Sequence, residues 1–199
     1  IVLEDSNLKK ETINTIKILN KKLSNKIYHC YDNNEIDVFL EDYVYYAMLL
    51  VTLYEVDGDD HSLEKAIILM KEIWEIFYNK GTQLLQKNRI KQNDLFVSPI
   101  DLNDNNIPNG NSVYLNLCNK LYAITNDKFW FDKIEILKKS FHQVLNSFFS
   151  QMFSFIKTLD ICENSISFTF FGNQDSIKNI KINLQKNYLG RATFVYKNK

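Results

Sequence analysis

The sequence predicts a mainly α-helical fold: a partial α/α toroid built from helical hairpins, closed by a small C-terminal β-α-β unit. Three observations predict it. Apolar residues recur at helical spacing over the first three-quarters of the chain. A buried-helix, turn, amphipathic-helix motif occurs twice in recognisable residues. Beyond Leu159 the apolar spacing drops to two, as in strands.

Taken in order, Leu8, Thr12, Ile16, Leu19 and Leu23 fall on one helical face. Lys26 to Tyr31 alternates, which suits a short strand or turn. Val38 to Val56 is apolar almost all round, the pattern of a helix packed on every side. Leu63, Ala66, Ile67, Met70, Ile73, Trp74 and Phe77 form a stripe, and Glu64, Lys71, Glu72 and Glu75 lie off it, so that helix has one wet face. The chain is then extended from Thr82 to Asn106. Asn111 to Ile124 and Phe129 to Phe149 repeat the helical pair.

The repeat is explicit. Leu53-Tyr-Glu-Val-Asp-Gly-Asp59 leads into Leu63-Glu-Lys65, and Leu121-Tyr-Ala-Ile-Thr-Asn-Asp127 leads into Phe131-Asp-Lys133. Each reads as the end of a buried helix, a tight turn with an Asp, Asn or Thr cap, and the start of an amphipathic helix. The helix at Leu8 then reads as the second member of a hairpin whose first member lies upstream of Ile1. Ile166, Phe168 and Phe170 form a strand, Ile177, Ile180, Leu184 and Tyr188 a helix face, and Ala192, Phe194 and Tyr196 a second strand. A parallel crossover is the default for such a unit. The expected domains are residues 1–160 for the toroid portion and 161–199 for the appendage.

Composition excludes several functions. The 199 residues carry 24 basic and 24 acidic side chains, a formal net charge of zero. That balance, with arginine only at Arg89 and Arg191, argues against a nucleic-acid surface. Tyr43 to Tyr54 is too short and too acid-flanked to span a membrane. Cys30, Cys118 and Cys162 are distant and odd in number, so reduced thiols without metal and a cytoplasmic setting are expected. His29-Cys30 has no second histidine at ligand spacing, and Phe171-Gly172-Asn173 lacks the glycine pattern of a nucleotide loop. No cofactor is implied.

Functional interest concentrates at two polar clusters that open the buried helices: Glu41-Asp42-Tyr43, and Asp104 with Asn109-Gly110-Asn111-Ser112. Helix starts offer free N–H groups and the positive dipole end. Glu41 and Asp42 supply carboxylates for acid–base work on a sugar, although neighbours on a helix diverge by about 100°. Either one facing Asp104 is the better catalytic pair. The alternative is a first-turn acidic residue favoured by the helix dipole, with a capping or packing role. Asn109, Gly110, Asn111 and Ser112 read as ligand-binding groups, with Asn111 and Ser112 bonding sugar hydroxyls, or as structural support: Pro108 and Asn109 a turn and cap, Gly110 a close backbone approach, and Asn111 and Ser112 holding the neighbouring acidic cluster. Tyr31, Tyr43, Tyr45, Tyr46 and Trp74 offer a sugar platform or plain core.

At these residues the chain resembles a known family. Phe39-Leu-Glu-Asp-Tyr, the Leu-Tyr-x-x-x-x-Asp turn, Asp104 with Ile107-Pro-Asn-Gly-Asn-Ser, and the final strand–Gly–helix–strand are similar to the C-terminal part of the thioredoxin-domain-containing YyaL proteins, whose animal relatives are the spermatogenesis-associated thioredoxin-like proteins. The resemblance covers nearly the whole chain. It implies a six-hairpin toroid similar to N-acylglucosamine 2-epimerases and inverting glycosidases, and an upstream thioredoxin-like domain as partner. The family commonly has Ser where this chain has Asn109, and no residue here matches the epimerases' catalytic histidines by motif. Two functions follow as expectations: a carbohydrate-related domain that binds or transforms a sugar, or a non-catalytic interaction module for a thioredoxin-like domain.

Overall fold

The computed structural model describes residues 6–23, 27–30, 37–89, 99–172, 177, 180–184 and 191–197. It is mainly helical: α1 (Ser6–Leu23), α2 (Leu40–Asp57), α3 (Asp60–Phe77), α4 (Gly110–Thr125), α5 (Lys128–Phe148) and α6 (Phe153–Asn164). Tyr78–Asn79 (β1) and Leu84–Leu85 (β2) form a small antiparallel hairpin. Ile166–Phe171 (β3) and Ala192–Lys197 (β4) pair in parallel, Ile166 opposite Ala192. Among the described residues no helix is long and apolar enough to cross a membrane.

The two hairpin turns share one geometry. Gly58 (φ 68°, ψ 28°) ends α2 and Asn126 (φ 54°, ψ 25°) ends α4, both left-handed. Their N–H groups donate to Tyr54 and Tyr122 carbonyls. Glycine and asparagine are the residues that adopt this conformation readily. Asp59 and Asp127 then cap the next helices, accepting from His61 and Phe129 N–H. The sequence repeat is therefore a structural one.

Helices α2, α4 and α6 lie side by side as an inner row, with α3 packed on α2 and α5 on α4. The principal core fills the space between the layers, with Val44, Ala47, Leu50, Met70, Phe77, Tyr114, Trp130 and Phe141 essentially inaccessible to solvent. Aromatic stacking of Phe141 on Phe155 carries it under α6. A separate apolar cluster of Phe168, Phe170, Ile177, Leu184, Ala192 and Phe194 packs on the β3–β4 pair.

Four features differ from the sequence expectation. Helical periodicity does not separate α6 from α5; a short 3₁₀ turn at Phe149–Gln151 breaks them, and α6 buries only Phe155, Thr158 and Ile161. Consequently β3 starts at Ile166, after α6, and not directly after Leu159 where the apolar spacing changes. Residues 27–30 form a bend with no strand, and Tyr31 and Tyr188 lie outside the described residues. Finally, α2 is not enclosed all round. Met48 and Thr52 are exposed where the inner row borders a cleft of ≈430 Å³ between α2, α4 and α6.

Candidate functional site

The inner helices begin at one end of the molecule, and carboxylates join their first turns. α2 starts without a side-chain cap at Phe39, because phenylalanine has no acceptor. Asp42, in the first turn, reaches back instead and accepts from the Phe39 N–H at 2.9 Å. Its carboxylate also receives His29 Nδ1 at 3.0 Å, and the His29 ring meets Phe39 edge-on.

Asn109 opens α4 as predicted for a cap. It is buried, its Oδ1 accepts from the Ser112 N–H at 2.9 Å, and its amide nitrogen donates to the Leu102 carbonyl and to Asp104 Oδ1, both at 3.0 Å. Asp104 accepts from the Asn109 N–H at 3.0 Å and from the Ser154 N–H at 2.6 Å, and takes a further bond from the Ser154 hydroxyl. It thus ties the start of α4 to the first turn of α6. Burial opposes ionisation of Asp104, but the hydrogen bonds from Ser154 and Asn109 outweigh it and hold its carboxyl below the usual value.

Glu41 sits between α2 and α4. Desolvation by burial raises its carboxyl above the ordinary glutamate value, against the lowering influence of its own backbone N–H, Lys87 and the Gly110 N–H. Its Oε2 is buried and has no hydrogen-bond partner. Gly110 is what permits this approach: a Cβ there would stand 2.8 Å from Leu40 Cδ2 and 3.1 Å from Glu41 Oε1.

Glu41, Asp42 and Asn109 line a common cleft of ≈390 Å³, with His29, Lys87 and Asp101 completing its polar wall. That volume falls within the range of small-molecule sites. A cleft edged by a carboxyl held toward its protonated form, a second carboxylate beside a histidine, and a lysine can donate and accept protons at neighbouring points. The remaining sequence candidates lie elsewhere. Asp104 adjoins the cleft, but its oxygens are occupied by Asn109 and Ser154. Asn111 is wholly buried and braces the β1–β2 hairpin, accepting from the Leu85 N–H at 2.9 Å and donating to the Leu85 carbonyl at 2.8 Å. Tyr43 takes a hydrogen bond from Arg89 at 2.9 Å and lines a neighbouring cleft of ≈370 Å³. Ser112, buried with an unpartnered hydroxyl, borders the cleft against α6.

Sequence reasoning did not place His29, Lys87 or Asp101 together. His29 carried a signal as a polar residue beside a cysteine; Lys87 and Asp101 carried none. Among the described residues no group of histidine, cysteine, aspartate and glutamate could hold a metal ion, and Cys30, Cys118 and Cys162 are free thiols. No protein-family model and no curated protein matches the chain.

Proposed function

We propose that this chain is part of a carbohydrate-related α/α toroid and that the cleft at the starts of α2 and α4 takes a sugar. The alternation of inner helices α2, α4 and α6 with outer helices α3 and α5 supports the toroid, as does the resemblance to the YyaL proteins. One observation carries the site: Glu41 is half-buried at the rim of a cleft, and its Oε2 is shielded from solvent with no hydrogen-bond partner among the described residues. A shielded carboxyl oxygen without a donor lowers stability. Such a residue fits a functional role better than a structural one.

In this reading Glu41 is the proton donor, Asp42 is held by His29, and Asn109 presents a fixed polar edge. The reaction is epimerisation or hydrolysis. The test is an NMR titration with N-acetylglucosamine, N-acetylmannosamine and glucose. At least one should shift the resonances of His29, Glu41 and Asn109, and Glu41→Gln should abolish that response while the protein stays folded. A titration in which none of the three sugars moves those signals removes the reading.

The second reading, an interaction module for a thioredoxin-like domain, draws on α1, where Leu8 and Ile18 are about half exposed, at 47% and 56%. Saturable binding of a thioredoxin-like domain that Leu8→Lys abolishes, with the sugars inert, would favour it.

A further inference from the structure

The β3–β4 pair is a two-stranded parallel sheet, and its two outer edges are treated differently. Ile166 N–H donates to the Arg191 carbonyl at 3.0 Å, so the even-numbered residues of β3 turn their backbone groups toward β4. On β4, the N–H groups of Phe194 and Tyr196 point the other way and are taken up by α2. Phe194 donates to Glu55 Oε1 at 3.3 Å and Tyr196 to the Tyr54 hydroxyl at 3.0 Å. That edge is capped.

The outer edge of β3 has no such cover among the described residues. By the two-residue period of a strand, Ser167, Thr169 and Phe171 aim their backbone N–H and C=O groups away from β4. All three residues are exposed, Phe171 at 61%. Proteins ordinarily blunt a free edge with lysine, proline or a bulge. Ile166-Ser-Phe-Thr-Phe-Phe171 contains no charged residue and no proline, and pairs with β4 without interruption. Parallel sheets are also ordinarily covered and larger than two strands.

We propose that β3 is a self-association edge, joined to β3 of a second copy of this chain by antiparallel pairing about Thr169. A two-fold axis makes identical edges antiparallel, and such an interface must be self-complementary. This edge meets that condition. Centred on Thr169, the outward-pointing Ser167 of each copy faces Phe171 of the other, and Thr169 faces Thr169. The threonines form a favourable cross-strand pair. On the opposite face Phe168 of each copy falls beside Phe170 of the other, which continues the aromatic layer already formed by Phe168, Phe170 and Phe194. No like charges oppose one another, because the strand has none. The result is a four-stranded sheet in the order β4, β3, β3, β4, with α2 of each copy sealing its ends.

The experiment is sedimentation equilibrium across micromolar concentrations, with amide exchange on the same samples. The wild-type chain should sediment at twice its 23.5 kDa mass. The amides of Ser167 and Thr169 should exchange more slowly as concentration rises. Thr169→Pro removes an outward N–H and no bond to β4, so it should give a monomer with an unchanged circular dichroism spectrum. If that variant fails to fold, Thr169→Lys, which sets two charges face to face, should give the same monomer. A wild-type chain that stays monomeric throughout overturns the proposal, including one that binds an unrelated peptide strand. So does a folded variant that still dimerises, or a dimer in which the Ser167 and Thr169 amides remain unprotected.

Discussion

Glu41 and Asp104 are two carboxylic acids near the same helix starts with opposite proton affinities, and the difference is donors. Asp104 is surrounded by N–H and O–H groups, whereas Glu41 is desolvated with one oxygen unpaired. Their effects on stability therefore run in opposite directions with pH. Glu41 binds its proton more tightly folded than unfolded, so its contribution is most favourable in acid and falls as pH rises through its folded value. Glu41→Gln should raise the neutral-pH melting temperature, and the gain should vanish in acid. Asp104 binds its proton less tightly folded, so its contribution is present at neutral pH and lost as pH falls through its folded value. Asp104→Asn should lower the neutral-pH melting temperature, and that deficit should shrink in acid, where the wild-type carboxyl is itself protonated. Parallel pH profiles for both variants and wild type would contradict this assignment.

At the scale of elements, α4 shows what the sequence reveals and what it conceals. The Asn109 cap and the small residue at position 110 were legible, because capping and close approach depend on local chemistry. The task of Asn111 was not. Nothing in its neighbours indicates that the start of α4 packs under a two-residue hairpin formed around Leu84 and Leu85, which are buried by their distance-spanning contacts. The same limit hid Lys87 and Asp101, since the path of the connections between helices sets their position and periodicity does not. Asn111→Ala leaves the Leu85 N–H and carbonyl without partners inside the protein, at a cost of about 1–3 kcal/mol each. Urea denaturation should show that loss, and the Leu85 amide should exchange faster than amides in the middle of α3. A variant as stable as wild type would show that water or a neighbour replaces the asparagine.

Across the whole molecule, the two-residue alternation of Ile166, Phe168 and Phe170 corresponds to β3, and the parallel pairing followed from the crossover rule. What the sequence concealed is how firmly the two parts are joined. Glu55 is 7% exposed on α2 and binds Lys120 of α4 at 2.6 Å as well as the Phe194 N–H of β4. Its own carbonyl takes the Tyr196 hydroxyl at 2.9 Å. Glu55→Ala strips a partly buried lysine of its partner and opens the β4 edge, a change on the order of 3 kcal/mol. Exchange at Phe194 and Val195 should accelerate ahead of that in α3; uniform acceleration would mean that the strands and helices unfold as one unit. The clamped start of α4 also bears on chemical ageing. Asn109-Gly110 is the dipeptide in which a flexible chain deamidates most readily, through attack of the glycine nitrogen on the asparagine side chain. Here that nitrogen belongs to the first residue of a helix, and the side-chain amide is fixed by Leu102 and Asp104. Folding thus protects the bond, while time spent unfolded exposes it. An aspartate formed at 109 would face the Asp104 carboxylate with the donated hydrogen bonds gone, so each such event makes correct refolding harder and gives the unfolded chain a finite chemical lifetime, readable as deamidation by peptide mapping of unfolded against folded samples.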